Sequence, residues 1–252
     1  MAELSQDLRA LTEAMQIHDV LAIMQAEGQD YGKQLRDEMF PGKGGAEWQA
    51  TVTRIYDPAR MHEEFTARLA KELAVKPGVA SAAADFFASE TGRKIIGLEL
   101  EARRALLDPV IEETARKAFE KMEAENSPRL EALRRFAKVN DLIEMNVMGA
   151  LNANFAFYQG MASGGALGGE MSEEDMLSEV WSQEEQVRSD AEDWLWPYLA
   201  LAYQPLSDEE LQAYQSFSES PAGRDLNAAL FAAFDTSFVR ISRELGRATA
   251  LM

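Results

Sequence analysis

Apolar residues recur along this chain at helical spacing almost throughout. Leu4, Leu8, Leu11 and Met15 form one stripe, and Ile17, Val20, Leu21 and Met24 continue it, turned slightly. This is the three-to-four spacing that presents one face of an α-helix to a core. No stretch sustains the alternation of period two, with β-branched residues, that marks a half-buried strand. Ala, Leu, Glu, Met and Arg dominate, and these favour helix. The pattern predicts an all-α protein, a helical bundle of about eight to ten helices packed in layers.

Helix boundaries are legible in the polar positions. Asp57-Pro58, Ser127-Pro128 and Ser220-Pro221 each join a capping side chain to a proline at the first helical position, where the missing N–H costs nothing. Ser207-Asp208-Glu209-Glu210 has the form of a capping box. Pro109 and Pro197 fall inside helical patterns and are expected to break or kink them. Gly42-Lys43-Gly44-Gly45 and Gly164-Gly165-Ala166-Leu167-Gly168-Gly169 read as loops.

One pattern occurs twice. Phe86-Phe87-Ala88-Ser89-Glu90-Thr91-Gly92-Arg93-Lys94-Ile95 returns as Phe217-Ser218-Glu219-Ser220-Pro221-Ala222-Gly223-Arg224-Asp225-Leu226, which share F-x-x-S-x-x-G-R-x-[I/L]. Upstream, Ile17-His18-Asp19-Val20-Leu21 aligns with Val139-Asn140-Asp141-Leu142-Ile143. The spacing between copies grows by nine residues from the first match to the second, and the second Gly-rich loop with its acidic continuation, Glu170 to Asp175, is the natural place for the gain. The expectation is an internal duplication, with copy one over 1–126 and copy two over 127–252, forming two domains or one compact pseudo-symmetric unit. Within the motif, Ser89 and Ser220 suit an N-cap. Gly92 and Gly223 permit close approach, Phe86 and Phe217 fill space beside them, and Arg93 and Arg224 reach a carboxylate or a carbonyl. A capped N-terminus with an Arg is also an anion site in form, but a tight helix–helix corner explains every residue type.

The segment Trp196-Pro197-Tyr198-Leu199-Ala200-Leu201-Ala202-Tyr203, then Leu206-Ser207-Asp208-Glu209-Glu210-Leu211, then Phe217-x-x-Ser220-Pro221-x-Gly223-Arg224, resembles an uncharacterised all-helical bacterial domain family of exported proteins. That family, a domain of unknown function, carries an Fy-x-Sp-x-G-x-k tail motif. The resemblance is best over 196–245, with a weaker second copy near 65–110, where Lys76-Pro77-Gly78 stands in place of Ser-Asp-Glu-Glu and Glu90 in place of the proline. The resemblance implies a periplasmic location and a role other than catalysis.

Charge and composition narrow the partners. The 252 residues hold 43 acidic against 25 basic side chains, a net charge of −18. Such a chain is repelled by nucleic acid and anionic bilayers, whose binding is driven by Lys and Arg displacing counterions. Cysteine is absent, which excludes disulfides, thiolate metal sites and cysteine nucleophiles. No apolar run is long enough for membrane insertion. The N-terminal residues lack the basic flank and apolar stretch of a signal peptide, which leaves a cytoplasmic location or an exported protein whose signal was replaced at Met1.

Chemistry is sparse. A dinuclear carboxylate site needs Glu-x-x-His on two helices, and the only histidines, His18 and His62, follow Met15 and Ala59 at that spacing. Glu173-Glu174-Asp175, Glu184-Glu185 and Asp190-x-Glu192-Asp193 match no calcium loop and read as solvated faces. Met145-x-x-Met148 has the form of a soft ligand pair but suits core filling. His18-Asp19 and His62-Glu63-Glu64 are the available acid–base pairs, with no nucleophile elbow to serve. The Gly-rich loops fit no phosphate cradle. Trp181, Trp194, Trp196 and Tyr198 crowd one region, as core by default and as a groove or interface if exposed. No catalytic, cofactor-binding or metal residue is assigned, and no cofactor is called for. The leading expectation is a non-enzymatic, soluble, acidic binding or assembly module engaging an unknown protein or peptide through an apolar groove, with a homodimer as a further option. The alternatives are a hydrolase-type enzyme using a His–carboxylate pair and a small-molecule or lipid carrier.

Overall fold

The computed structural model describes residues 5–167 and 171–252. Leu4 of the first apolar stripe and Gly168, Gly169 and Glu170 of the second Gly-rich stretch lie outside the described residues. Among those described, every regular element is an α-helix, and there are thirteen: α1 (Gln6–Ala14), α2 (Ile17–Met39), α3 (Gly45–Ile55), α4 (Pro58–Leu73), α5 (Val79–Ala88), α6 (Glu90–Ala105), α7 (Pro109–Ala124), α8 (Pro128–Val139), α9 (Leu142–Ser163), α10 (Glu173–Ser182), α11 (Glu184–Tyr203), α12 (Asp208–Glu219) and α13 (Pro221–Ala250). The number exceeds the expected eight to ten, and two of the additional helices arise at corners that carry no turn residue. Gln16 and Asp141 turn the chain in the left-handed region, at φ 50° and 51°, and split what the apolar pattern joins.

Of the expected caps, Asp57, Ser207 and Ser220 act as their chemistry predicts. The Asp57 side chain accepts from the Arg60 N–H, and Ser207 and Glu210 complete the capping box. Ser127 precedes Pro128 but its side chain makes no cap bond. Ser172 and Asp175 form a second capping box, so Glu173 to Asp175 belong to the first turn of α10 rather than to the loop before it. Pro109 ends one helix and starts the next, with Asp108 as the cap. Pro197 is buried within α11, which continues through it to Tyr203. Ser207→Ala is expected to lower stability by about 1 kcal/mol, read as a shift in the urea midpoint with unchanged slope.

The repeated motif builds the same corner twice. Between α5 and α6, Ser89 Oγ accepts from the Gly92 N–H at 3.0 Å and donates to the Phe86 carbonyl at 2.6 Å. Between α12 and α13, Ser220 does the same with Gly223 and Phe217 at the same distances. Arg93 and Arg224 donate to the carbonyls of Ala88 and Glu219, so the guanidiniums fold back on their own corners. The close approach at each glycine is by backbone: a Cβ on Gly92 would lie 2.2 Å from the Phe86 carbonyl oxygen, and one on Gly223 2.0 Å from that of Phe217. The two rings therefore do not fill space beside the glycines. They stack on each other, centroids 4.3 Å apart and 6° from parallel. Of the upstream match, Val139 ends α8 and Asn140 caps it, whereas Ile17 and His18 open α2; Gln16 and Asp141 each precede a helix in the left-handed region.

Packing interleaves the first and second parts of the chain. α13 lies against both α9 and α4, and α11 lies against α6, α7 and α9. The largest apolar cluster joins side chains of α1–α6 to Leu226, Ala229, Ala233, Ile241 and Leu245 of α13. A second joins Ile95 and Ala102 of α6 to α8 and α11. Trp48 is fully enclosed, its indole N–H donating to the Gly32 carbonyl at 2.7 Å. Arg240 ties α13 to α4 through Glu64 at 2.6 Å and also holds the Ile55 carbonyl. A guanidinium so little exposed is held by the bonds of its Nε and Nη1 to carboxylate and backbone oxygens, while its Nη2 is buried without a hydrogen-bond partner.

Candidate functional site

α11 gathers the aromatic residues and distributes them over different surfaces. Trp194 and Tyr198, four apart, share a face of the helix and stack at 4.9 Å. Trp196 points to another side, where it stacks on Phe119 of α7 at 6.1 Å. It also lines a shallow cleft of about 340 Å³ with Arg134, Ala137 and Lys138 of α8 and the Asp141 to Glu144 corner. Leu142, Ile143 and Ala137 give the cleft apolar lining, and Arg134, Lys138, Asp141 and Glu144 add charged groups. Arg134 is held by Glu123 and Glu131, and Glu144 by Arg188. That last pairing draws the Glu144 carboxyl below its ordinary range, chiefly through the hydrogen bond.

The indoles are not all core. Trp194 is 41% exposed and Trp181 on α10 is 55% exposed. Leu177, one turn before Trp181, is 42% exposed on the same face. Exposed large apolar side chains in succession are what protein-binding surfaces use.

Beneath the Trp194–Tyr198 stack lies a polar seam that no sequence pattern singled out. Glu99 of α6 accepts from the Tyr203 hydroxyl of α11 at 2.7 Å, and the Tyr214 phenol of α12 lies beside its carboxyl. Among the described residues it has no ion-pair partner. Glu99 is half-buried, and desolvation in the seam pushes its carboxyl up to about 7, against the neighbouring phenols, which favour the charged form. The phenols of Tyr198, Tyr203 and Tyr214 are likewise pushed up by burial and remain protonated donors. Arg103, one turn beyond Glu99, is paired with Glu27 of α2 at 2.6 Å and so is already neutralised. The signal that finds Glu99 is its place on the apolar stripe: Ile95, Ile96, Leu100 and Ala102 around it are all buried.

The two histidines are not brought together with carboxylates. His18 is exposed on the first turn of α2 and His62 is half-buried on α4, and among the described residues neither imidazole has a hydrogen-bond or ion-pair partner. Among the described residues no group of three or more His, Asp or Glu side chains is placed to hold a metal ion. Met145 is half-buried and Met148 exposed on α9.

The sequence model of a bacterial family, described as an uncharacterized protein conserved in bacteria (DUF2059), matches residues 59–121. This is about a quarter of the chain, running from the start of α4 into α7. It falls on the first of the two resembling segments, the one expected to match less well than 196–245. No curated protein and no solved structure matches this chain. Among the described residues no helix is long and apolar enough to cross a membrane. Nothing in these comparisons points to an enzyme, and the function is unknown.

Proposed function

We propose that the protein is a non-enzymatic binding or assembly module that engages a protein or peptide. The observation that carries this reading is the exposure of Trp181 and Trp194 on α10 and α11, in a part of the chain where burial would have been the default. The Trp196 cleft, on another side of α11, is lined by apolar and charged side chains together, and hot spots on binding surfaces draw on such aromatic anchors. The recess lies within the second half, not between the halves. The test is site-specific photocrosslinking in living bacterial cells, with a benzophenone amino acid at position 181, 194 or, as control, at Glu63, which is exposed on α4. Discrete adducts at 181 and 194 but not at 63 are the expected result. The same pattern at all three positions would remove this reading.

The same reading includes two units, 1–126 and 127–252, derived from one by duplication, and a periplasmic location. Three observations support duplication. α1 to α6 and α8 to α13 run in the same order with a left-handed pivot after the first helix of each. The two Ser–Gly corners are alike atom for atom. The contacts are reciprocal, α13 on α4 and α6 on α11, the sixth helix of each unit on the fourth of the other. The length gained between units is then spread over several connections and not confined to the Gly-rich loop. The periplasmic location rests on the resemblance to exported proteins.

A further inference from the structure

We propose that the seam where α6 meets α11 and α12 is a proton-closed clasp, in which Glu99 must be uncharged for the two halves of the chain to pack tightly. The cations around this carboxyl are committed to other groups; Arg129 of α8, which reaches the Tyr203 and Leu206 carbonyls, is paired with Asp208. α11 offers it Tyr203 and, farther off, Tyr198. α12 offers Tyr214, while its Glu210 is occupied by Lys94 at 2.6 Å. α2 presents Glu27 and Asp19, which are held by Arg103 and Arg104. α5 contributes only Asp85, which is exposed. On α6 itself the cations are Arg93, turned to the Ala88 carbonyl, and Lys94, Arg103 and Arg104, each committed to a carboxylate elsewhere; Glu90 and Glu101 are exposed. Ionised, Glu99 would be a carboxylate with phenols for partners and no counter-charge, whereas opening the seam would hand it to water.

The sign follows from linkage. With the seam closed, Glu99 titrates near 7; with it open, at its ordinary 4.5. Between those values the closed form holds a proton that the open form releases, so raising the pH favours opening. The effect grows by up to about tenfold per pH unit from pH 5 to 7 and levels off above, where both forms are ionised. Acidification therefore tightens the clasp. Tyr198 connects the seam to the exposed Trp194, so opening would loosen the support of that aromatic face. The clasp does not depend on what, if anything, binds there.

Hydrogen exchange of the full chain, corrected for the intrinsic pH dependence of exchange, tests this at pH 5 and pH 7.5. In the wild-type protein, protection across α6, α11 and α12 is expected to fall by roughly a hundredfold between the two pH values, while α3, which is remote from the seam, changes little. Glu99→Gln, always uncharged, should keep its protection at both. Tyr203→Phe removes a donor that favours the charged carboxylate, and should move the midpoint of the change to higher pH. Wild-type protection that is independent of pH would overturn the proposal. So would a fall of equal size in Glu99→Gln or, should that variant not fold, an unmoved midpoint in Tyr203→Phe.

Discussion

Alanine at Gly246 is expected to lower stability by about 2 kcal/mol or more, although alanine is the better helix former. A Cβ there would lie 2.1 Å from the Phe157 carbonyl oxygen and 3.1 Å from the Met161 nitrogen. Across the same crossing a Cβ on Gly160 would lie 2.1 Å from the Arg243 carbonyl oxygen. Replacing an interior glycine by alanine gains about 1 kcal/mol of helix propensity. Here the obstacle is backbone, which cannot rotate aside as a side chain does, so α9 and α13 must separate by about an ångström. Overpacking of this kind costs typically 1–3 kcal/mol and occasionally more, and it wins over the propensity gain. Gly160→Ala should cost a similar amount. The double variant should cost less than the two together, because one displacement relieves both contacts. Urea denaturation followed by circular dichroism checks this; a Gly246→Ala protein as stable as the wild type would mean that the crossing is looser than its geometry.

Gly92→Ala and Gly223→Ala are expected to be comparably costly, about 2 kcal/mol each, and to resemble each other. Each Cβ would meet the carbonyl of the phenylalanine that starts its corner and the Cα of the next residue, at 2.6 Å for Phe87 and 2.8 Å for Ser218. Relief would require opening the corner, which would part Ser89 or Ser220 from its two bonds and shift the Phe86–Phe217 stack. The Ser→Ala substitutions at the same corners remove only the cap, worth about 1 kcal/mol. Glycine costing more than serine is therefore the diagnostic order, read from urea midpoints of the four variants. The reverse order would show that the cap, and not backbone contact, sets the angle.

What could be read in the sequence was what local chemistry decides. Asp57-Pro58, Ser220-Pro221 and the Ser207–Glu210 box place helix starts because a capping oxygen and a proline act within one turn. The paired Ser–Gly corners were legible for the same reason. The pivots at Gln16 and Asp141 were not, because a non-glycine residue held at positive φ is imposed by packing from outside and leaves no local mark. The part of the site made by Trp181 and Trp194 was visible as residue types but not as a surface. Helical spacing says that Trp194 and Tyr198 share a face, not which neighbour leaves that face open. Glu99 was overlooked because a single Glu in a Glu-rich helix looks solvated, and only the buried neighbours on its stripe distinguish it.

The position of α13 also bears on how the protein is made. Its apolar face completes the cluster begun by α1 to α5, yet it follows them by more than a hundred residues and so is synthesised long after them. The early helices thus emerge without the element that covers them, and their apolar face stays open to solvent, or to a chaperone, until α13 arrives. A chain built in this order stays unfinished and threadable through most of its synthesis.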